Sequence, residues 1–317
     1  MSTLLLTRTD VVRSLDALSL LSEMREAFRV EAGHRSSETP YTQASLQGPG
    51  SVRVVFPGLL SGIPASTVRI QTSFPGRSPT WQGLIHLQDE TGALLAVMDA
   101  GHLMALRAGV VGALAADVLA RQDASRVALI GAGAQASIQL KSLRLVRSLQ
   151  HVRVYDVDVA RAESFASRMY QALNLPVRTA LSVEEAVEDA DIVITVTSSR
   201  EPFLFPGLLR GGTHVTALGA DEPGKAELAP GLLRQSTVFS DHPAFNLALG
   251  APPGTGDVPA PTALGEVLAG TKPGRTDAAQ VTLFGSVGRP FQDLVAAWHV
   301  YQGARQDPSP RSVDFSS

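Results

Sequence analysis

Apolar positions between Asp10 and Gly33 recur at helical spacing: Leu20, Leu21, Met24, Ala27 and Phe28 share one face, and Gly33 stands where a helix stops. The pattern then changes to short runs of strand character at Val52, Val54 and Phe56, at Val68 to Thr72, at Leu84 to Leu87 and at Leu94 to Met98. Asp89 to Gly92 reads as the turn of a hairpin, so this region is expected to be an antiparallel meander. From Leu103 to Ala120 the spacing predicts a long helix dense in Ala and Gly. Small side chains allow a neighbouring element to approach closely, which suits a helix packed between domains.

Beyond Ser125 strands and helices alternate. Strands are predicted at Arg126 to Ile130, Val152 to Tyr155, Val177 to Thr179, Ile192 to Val196, His214 to Leu218, Val238 to Ser240 and Val281 to Phe284. Helices are predicted at Gln135 to Leu149, Ala160 to Ala172 and Val183 to Glu188. Apolar strands separated by helices predict a parallel, doubly wound α/β sheet of the Rossmann kind. Gly250 to Pro261 reads as a surface loop, Asp293 to Gln302 as a last helix, and the polar tail from Gln306 as mobile. The expected organisation is a Rossmann domain over 121–289 and an α+β domain made of 1–120 with 290–317.

Composition narrows the function classes. With 44% hydrophobic and 18% charged residues the chain can build cores of ordinary size. A formal net charge of -3 gives no field that would recruit nucleic acid or an acidic membrane surface. The absence of cysteine removes disulfides, thiolate metal sites and a cysteine nucleophile, and fits a cytoplasmic setting. Apolar stretches such as Val110 to Ala120 fall short of a membrane span, and no basic-then-apolar leader opens the chain. The seven histidines are scattered, none spaced with an acid as metal ligands would be.

The strongest local motif runs from Val127 to Ala136 and has the form G-x-G-x-x-A after a strand and at the opening of a helix. Gly131 permits the tight turn, Gly133 the approach of a pyrophosphate, and Ala136 close helix–strand packing, while free helix N–H groups take the anion. Asp156 ends the next strand about 20 residues on, where an acid accepts from ribose hydroxyls and repels a 2′-phosphate; NAD is therefore expected over NADP. Asp158 adds to that preference and Arg161 opposes it. Thr195 and Thr197 lie at a strand's carboxyl end, where Thr197 could touch the ribose or nicotinamide side; both equally read as β-branched residues filling a strand.

With those motifs placed, the chain resembles the ornithine cyclodeaminase/μ-crystallin family nearly end to end. The resemblance is carried by the segment Gln82 to Gly92, the helix entry Leu106 to Val110, the glycine turn Ile130 to Ala136, and the strand Ala190 to Thr197. The stretch Gly212 to Leu228 and the run Phe284 to Gly288 followed by Asp293 complete it. It implies that the α+β domain binds substrate and forms a homodimer, and that Asp221 is the catalytic acid–base residue. It implies too that Arg107 pairs with the substrate carboxylate, which suits a guanidinium fork. Ala134 and Gln135 match pyrophosphate contacts, Lys225, Ser286 and Val287 match positions near nicotinamide and substrate, and Thr80 matches a hydroxyl contact to the cofactor.

Two positions depart from the family pattern. Its strand lysine falls on Arg69, which keeps the charge but cannot shuttle a proton, and its upstream arginine falls on Tyr41, which removes one carboxylate partner. Ala108 stands where a threonine is usual. Read without the resemblance, Arg107 also fits an ion pair at a domain interface and Asp221 a turn before Pro223, whereas Arg69, among apolar residues, needs a ligand or an acidic partner. The expected activity is an NAD-dependent cyclodeaminase acting on an amino acid such as L-ornithine through an imine. The alternatives are an NAD-dependent imine reductase or amino-acid dehydrogenase, and a μ-crystallin-like protein that binds dinucleotide and a small ligand without turnover.

Overall fold

A computed structural model describes residues 2–32, 42–46, 50–74, 81–220, 224–241 and 260–315. In chain order they form β1 (Thr3–Leu6), α1 (Arg8–Ser14), α2 (Ala17–Glu31), β2 (Thr42–Ser45), β3 (Ser51–Gly58), β4 (Ala65–Ser73), β5 (Trp81–Asp89) and β6 (Leu94–Asp99). Next come α3 (Ala100–Leu119), β7 (Arg126–Ile130), α4 (Ala134–Leu143), β8 (His151–Tyr155), α5 (Val159–Leu173), β9 (Val177–Thr179), α6 (Val183–Val187) and β10 (Ile192–Thr195). The chain continues through β11 (His214–Ala217), α7 (Pro230–Arg234), β12 (Thr237–Ser240), β13 (Thr262–Ala263), α8 (Leu264–Leu268), β14 (Thr282–Gly285), α9 (Pro290–Ala304) and β15 (Arg311–Val313). They divide into two units, Met1–Ala108 with Gly288–Ser317, and Gly109–Val287. The boundary expected near 290 falls within two residues of this division, whereas the one expected near 120 lies instead inside α3, a continuous helix whose first nine residues belong to one unit and the rest to the other.

In the first unit a sheet runs in the order β15-β1-β6-β5-β4-β3-β2. The meander from β2 to β6 is antiparallel, and β1 joins β6 in parallel. Alternation decides which side is covered: Thr67, Arg69 and Gln71 of β4 are buried, whereas Ile70 is 52% exposed. α9 lies on β3, β4 and β5, and α2 packs on α9, with the rings of Phe28 and Phe291 edge to face at 5.1 Å. Each such fully buried side chain stabilises the unit by about 1.5–3 kcal/mol.

Two expectations for this unit need correction. The helix expected from Asp10 is two helices, because the Asp16 side chain accepts from the Ser19 amide at 2.7 Å and caps α2; Gly33 lies outside the described residues. The tail expected to be mobile carries β15, which pairs antiparallel with β1 and satisfies backbone groups at the sheet's edge.

The second unit is a wholly parallel sheet ordered β13-β12-β14-β11-β10-β7-β8-β9. Both faces are covered, so successive residues of one strand enter different cores. Val127 and Leu129 pack with Ala136 and Leu140 of α4 and Phe165 and Met169 of α5. Ala128 and Ile130 pack with Val183 and Val187 of α6 and Leu232 of α7. The loop expected over 250–261 lies outside the described residues as far as residue 259.

Helix α3 is longer than the stretch judged too short to span a membrane, and by length and composition alone it could cross one. Leu103, Val110, Val111 and Leu114 are nevertheless fully buried inside the protein, as in a core helix. Its glycines bring α4 close. A Cβ on Gly109 would lie 2.6 Å from Ser142 Oγ, and one on Gly112 2.4 Å from Gln139 Oε1.

Candidate functional site: a dinucleotide cradle and an arginine pair

In the second unit the strand order reverses direction at β7, which has β8 on one side and β10 on the other. Ligands of open α/β sheets lie outside the carboxyl ends of the strands at such a switch point. Gly131 follows β7 with φ +99°, a conformation L side chains avoid, and a Cβ there would sit 2.8 Å from the Val196 carbonyl oxygen. Gly133 is the N-cap of α4, where no side chain caps the helix and a Cβ would meet nothing within 4 Å. Ala134 opens the helix exposed, and Gln135 is half-buried beside it. An uncapped helix start over open space, carrying partial positive charge, fits a pyrophosphate.

Asp156 follows β8 and is buried. One carboxylate oxygen accepts from the Ala132 amide at 2.8 Å and the other from the Asp158 amide at 2.9 Å. It is therefore tied to the glycine turn itself. Arg161, the cation that opposed an NAD preference in the sequence, lies 3.5 Å from Asp156 and 3.4 Å from Asp158, so its charge is shared with two acids. Asp158 also caps α5.

Thr197 uses its hydroxyl inside the protein, donating to Glu227 at 2.9 Å and accepting from the Ser199 amide at 3.2 Å. Glu227, part of the quoted family stretch but not among the expected site residues, also accepts from Thr195 Oγ1, the Thr197 amide and the Gly219 amide. Burial pushes this carboxyl above the usual range while those four donors pull it back. Ser286 donates from its hydroxyl to Asp241 at 2.6 Å, and the Val287 amide donates to the same side chain at 3.4 Å. Asp241 was also missed; an acid ending an apolar strand is the signal that could have marked it. Lys225 is half-buried in this unit.

The arginines Arg69 and Arg107 belong to the first unit, and both are buried. Asp293 of α9 lies between them: its Oδ2 accepts from Arg69 Nε at 2.8 Å and its Oδ1 from Arg107 Nε at 2.9 Å. Arg69 also donates to Gln71, and Arg107 donates to Gln292 Oε1 at 2.9 Å. Burial, together with Arg107 and Arg53, draws the Arg69 guanidinium below its ordinary value and Asp293 draws it back; an arginine stays charged at neutral pH in either case. Gly288 makes room for this arrangement, since a Cβ there would lie 2.4 Å from Arg107 Nη1. Asp293 was recognised in sequence only as a landmark. An acid on the buried face of an apolar helix, beside Phe291 and Leu294, signals a charged partner.

The glycine turn, Ala134, Gln135, Asp156, Thr197, Lys225, Ser286 and Val287 are thus all in the second unit, and Arg69 and Arg107 in the first. Asp221, Tyr41 and Thr80 lie outside the described residues.

Fold, glycine turn and acidic strand end define the Rossmann class of α/β proteins. The sequence profile of the ornithine cyclodeaminase/mu-crystallin family matches residues 1–307, and the chain belongs to this family. It is 33% identical to an alanine dehydrogenase of Archaeoglobus fulgidus over 96% of each chain. Among solved structures, it superposes on an archaeal alanine dehydrogenase dimer with bound NAD at a TM-score of 0.89 and 32% identity, covering 99% of this chain and 100% of that one. The Δ1-pyrroline-2-carboxylate reductase of Thermococcus litoralis, in complex with NADH and L-proline, superposes at a TM-score of 0.92 and 29% identity, over 98% and 100% of the two chains.

Proposed function

We propose that this chain is an NAD-dependent oxidoreductase that interconverts an α-imino acid and the corresponding α-amino acid. The observation that carries this reading is the charge arrangement around Asp293. Both of its oxygens are occupied by Arg69 and Arg107, and no further described carboxylate reaches either arginine. Two guanidiniums against one carboxylate, with the Arg53 guanidinium also acting on Arg69, leave the cluster positive, which suits a substrate carboxylate and repels a side-chain ammonium. That favours an amino acid with an uncharged side chain over ornithine, and redox chemistry over cyclodeamination. Bound coenzyme supplies or accepts the hydride at Cα.

In this reading Arg69 and Arg107 hold the carboxylate, with Tyr41 lining the same subsite. Asp221 takes the proton from the amine nitrogen, or returns it. Gly131, Gly133, Ala134, Gln135 and Asp156 hold the pyrophosphate and adenosine ribose; Lys225, Ser286, Val287 and Thr80 serve the nicotinamide side. The bound coenzyme of both solved relatives supports NAD in this role.

A homodimer is proposed with it. Ile70 and Leu84 pair directly across β4 and β5 and are 52% and 55% exposed, an apolar patch of the kind a subunit interface covers. Cyclodeamination of a diamino acid is the second reading, favoured by the family that the profile match names.

The test offers NADH with ammonium and pyruvate, NADH with Δ1-pyrroline-2-carboxylate, and NAD with L-ornithine. Oxidation of NADH by either imine source, with alanine or proline formed, supports the oxidoreductase. Proline from ornithine without net NADH establishes the cyclodeaminase instead, and coenzyme binding without any product establishes a binding protein.

A further inference from the structure

Glu227 is 1% exposed, and each of its oxygens accepts one backbone N–H and one hydroxyl. Oε1 takes the Thr197 amide at 2.7 Å and Thr197 Oγ1 at 2.9 Å; Oε2 takes the Gly219 amide at 2.9 Å and Thr195 Oγ1 at 2.7 Å. Its own backbone is held as well, since the Phe203 and Leu204 amides both donate to its carbonyl at 3.1 Å. One side chain thus fixes the carboxyl ends of β10 and β11 together with the segment that follows residue 224.

The consequence reaches the glycine turn. The Val196 amide donates to the Ile130 carbonyl at 3.0 Å, and a Cβ on Gly131 would lie 3.2 Å from Thr197 Cγ2. Thr197 therefore presses its methyl against the turn while its hydroxyl and amide are anchored on Glu227. On the other side Gly219 stands two positions before Asp221. A Cβ on Gly219 would lie 2.3 Å from Glu227 Oε1, so the glycine is what lets the carboxylate in.

We propose that Glu227 is a positioning residue that joins the wall of the dinucleotide turn at Thr197 to the carboxyl end of β11 at Gly219, so that coenzyme affinity depends on it without any contact to the coenzyme. This rests on the coenzyme reading above. Glutamine cannot replace it. Because both oxygens accept backbone N–H groups, the amide nitrogen of Glu227→Gln would face either the Thr197 or the Gly219 N–H, and one of those bonds is lost.

The experiment measures NADH binding by fluorescence titration, and amide hydrogen exchange, on wild-type protein and Glu227→Gln well below the unfolding midpoint. NADH affinity is expected to fall about tenfold. Faster exchange is expected at Thr197 and Gly219, with the amides of β7 and β8 still protected. Unchanged affinity in a folded Glu227→Gln protein, even with a lowered midpoint, overturns the inference and leaves Glu227 a purely structural group. Should that variant not fold, Thr197→Val removes, at constant size, the hydroxyl that donates to Glu227 and accepts from the Ser199 amide. A loss of about threefold in NADH affinity then supports the inference, and wild-type affinity overturns it. Wild-type protein that binds no coenzyme refutes the coenzyme reading itself, and this inference with it.

Discussion

Replacing Asp293 by asparagine isolates the most heavily charged contact of the first unit. The carboxylate is 2% exposed and its arginine partners 6% and 7%, so all three groups have left water. Removing one member of a buried ion pair typically costs about 3–5 kcal/mol, most of it the penalty for the charge left behind. Asparagine keeps one carbonyl oxygen for either Arg69 or Arg107, but its amide nitrogen confronts the other arginine's Nε–H. The lower end, about 3 kcal/mol, is therefore expected for Asp293→Asn. Against a total stability of roughly 5–15 kcal/mol this is a large fraction. With m near 1–3 kcal/mol/M it lowers the urea midpoint by roughly 1–3 M without changing the slope. A triple variant, Asp293→Leu with Arg69→Met and Arg107→Leu, is expected to recover much of that stability while losing amino-acid binding, because no charge stays buried alone. A loss below about 1 kcal/mol for Asp293→Asn would refute the reasoning, since that is the cost of breaking a solvent-screened pair.

Gly131→Ala places a side chain at φ +99° and 2.8 Å from the Val196 carbonyl. It should destabilise the protein by more than about 1 kcal/mol and weaken NADH binding, as read by denaturant titration and fluorescence. Asp156→Asn removes the negative charge beside the expected ribose while keeping an acceptor, and NADPH affinity relative to NADH is expected to rise about tenfold in paired titrations. His214 is fully buried between the hydroxyls of Thr282 and Thr216; burial, helped by Arg275 and Arg147, lowers its pKa to about 3. The unfolded chain takes up that proton near pH 6.5 and the folded chain does not. Stability from this group is therefore present above pH 6.5 and falls by about 1.4 kcal/mol per pH unit below it, until pH 3. His214→Gln should flatten the dependence between pH 6.5 and 5, measured by urea midpoints.

The candidate coenzyme cradle was legible in the sequence because its parts are neighbours along the chain. Gly131, Gly133 and Asp156 belong to one strand–helix–strand unit, and the apolar runs of β7, β8 and β10 announce buried parallel strands without reference to anything distant. The arginine pair was legible only as two cations needing an explanation. What explains them, Asp293, is 224 positions from Arg69 and 186 from Arg107. Glu227 likewise reads as one more acid in a polar stretch until the ends of two strands converge on it.

By itself, then, the sequence determined the alternation of elements, the glycine turn and the acid after β8, since local sterics and periodicity fix these within a few residues. Only the tertiary structure decided that Asp16 splits the first helix and that β15 closes on β1. It alone showed that Asp293 neutralises one of two arginines and that Glu227 gathers Thr195, Thr197 and Gly219. The physical reason is common to these contacts: a buried polar group must find a partner, but which distant residue answers it depends on how the chain packs and leaves no period in the sequence.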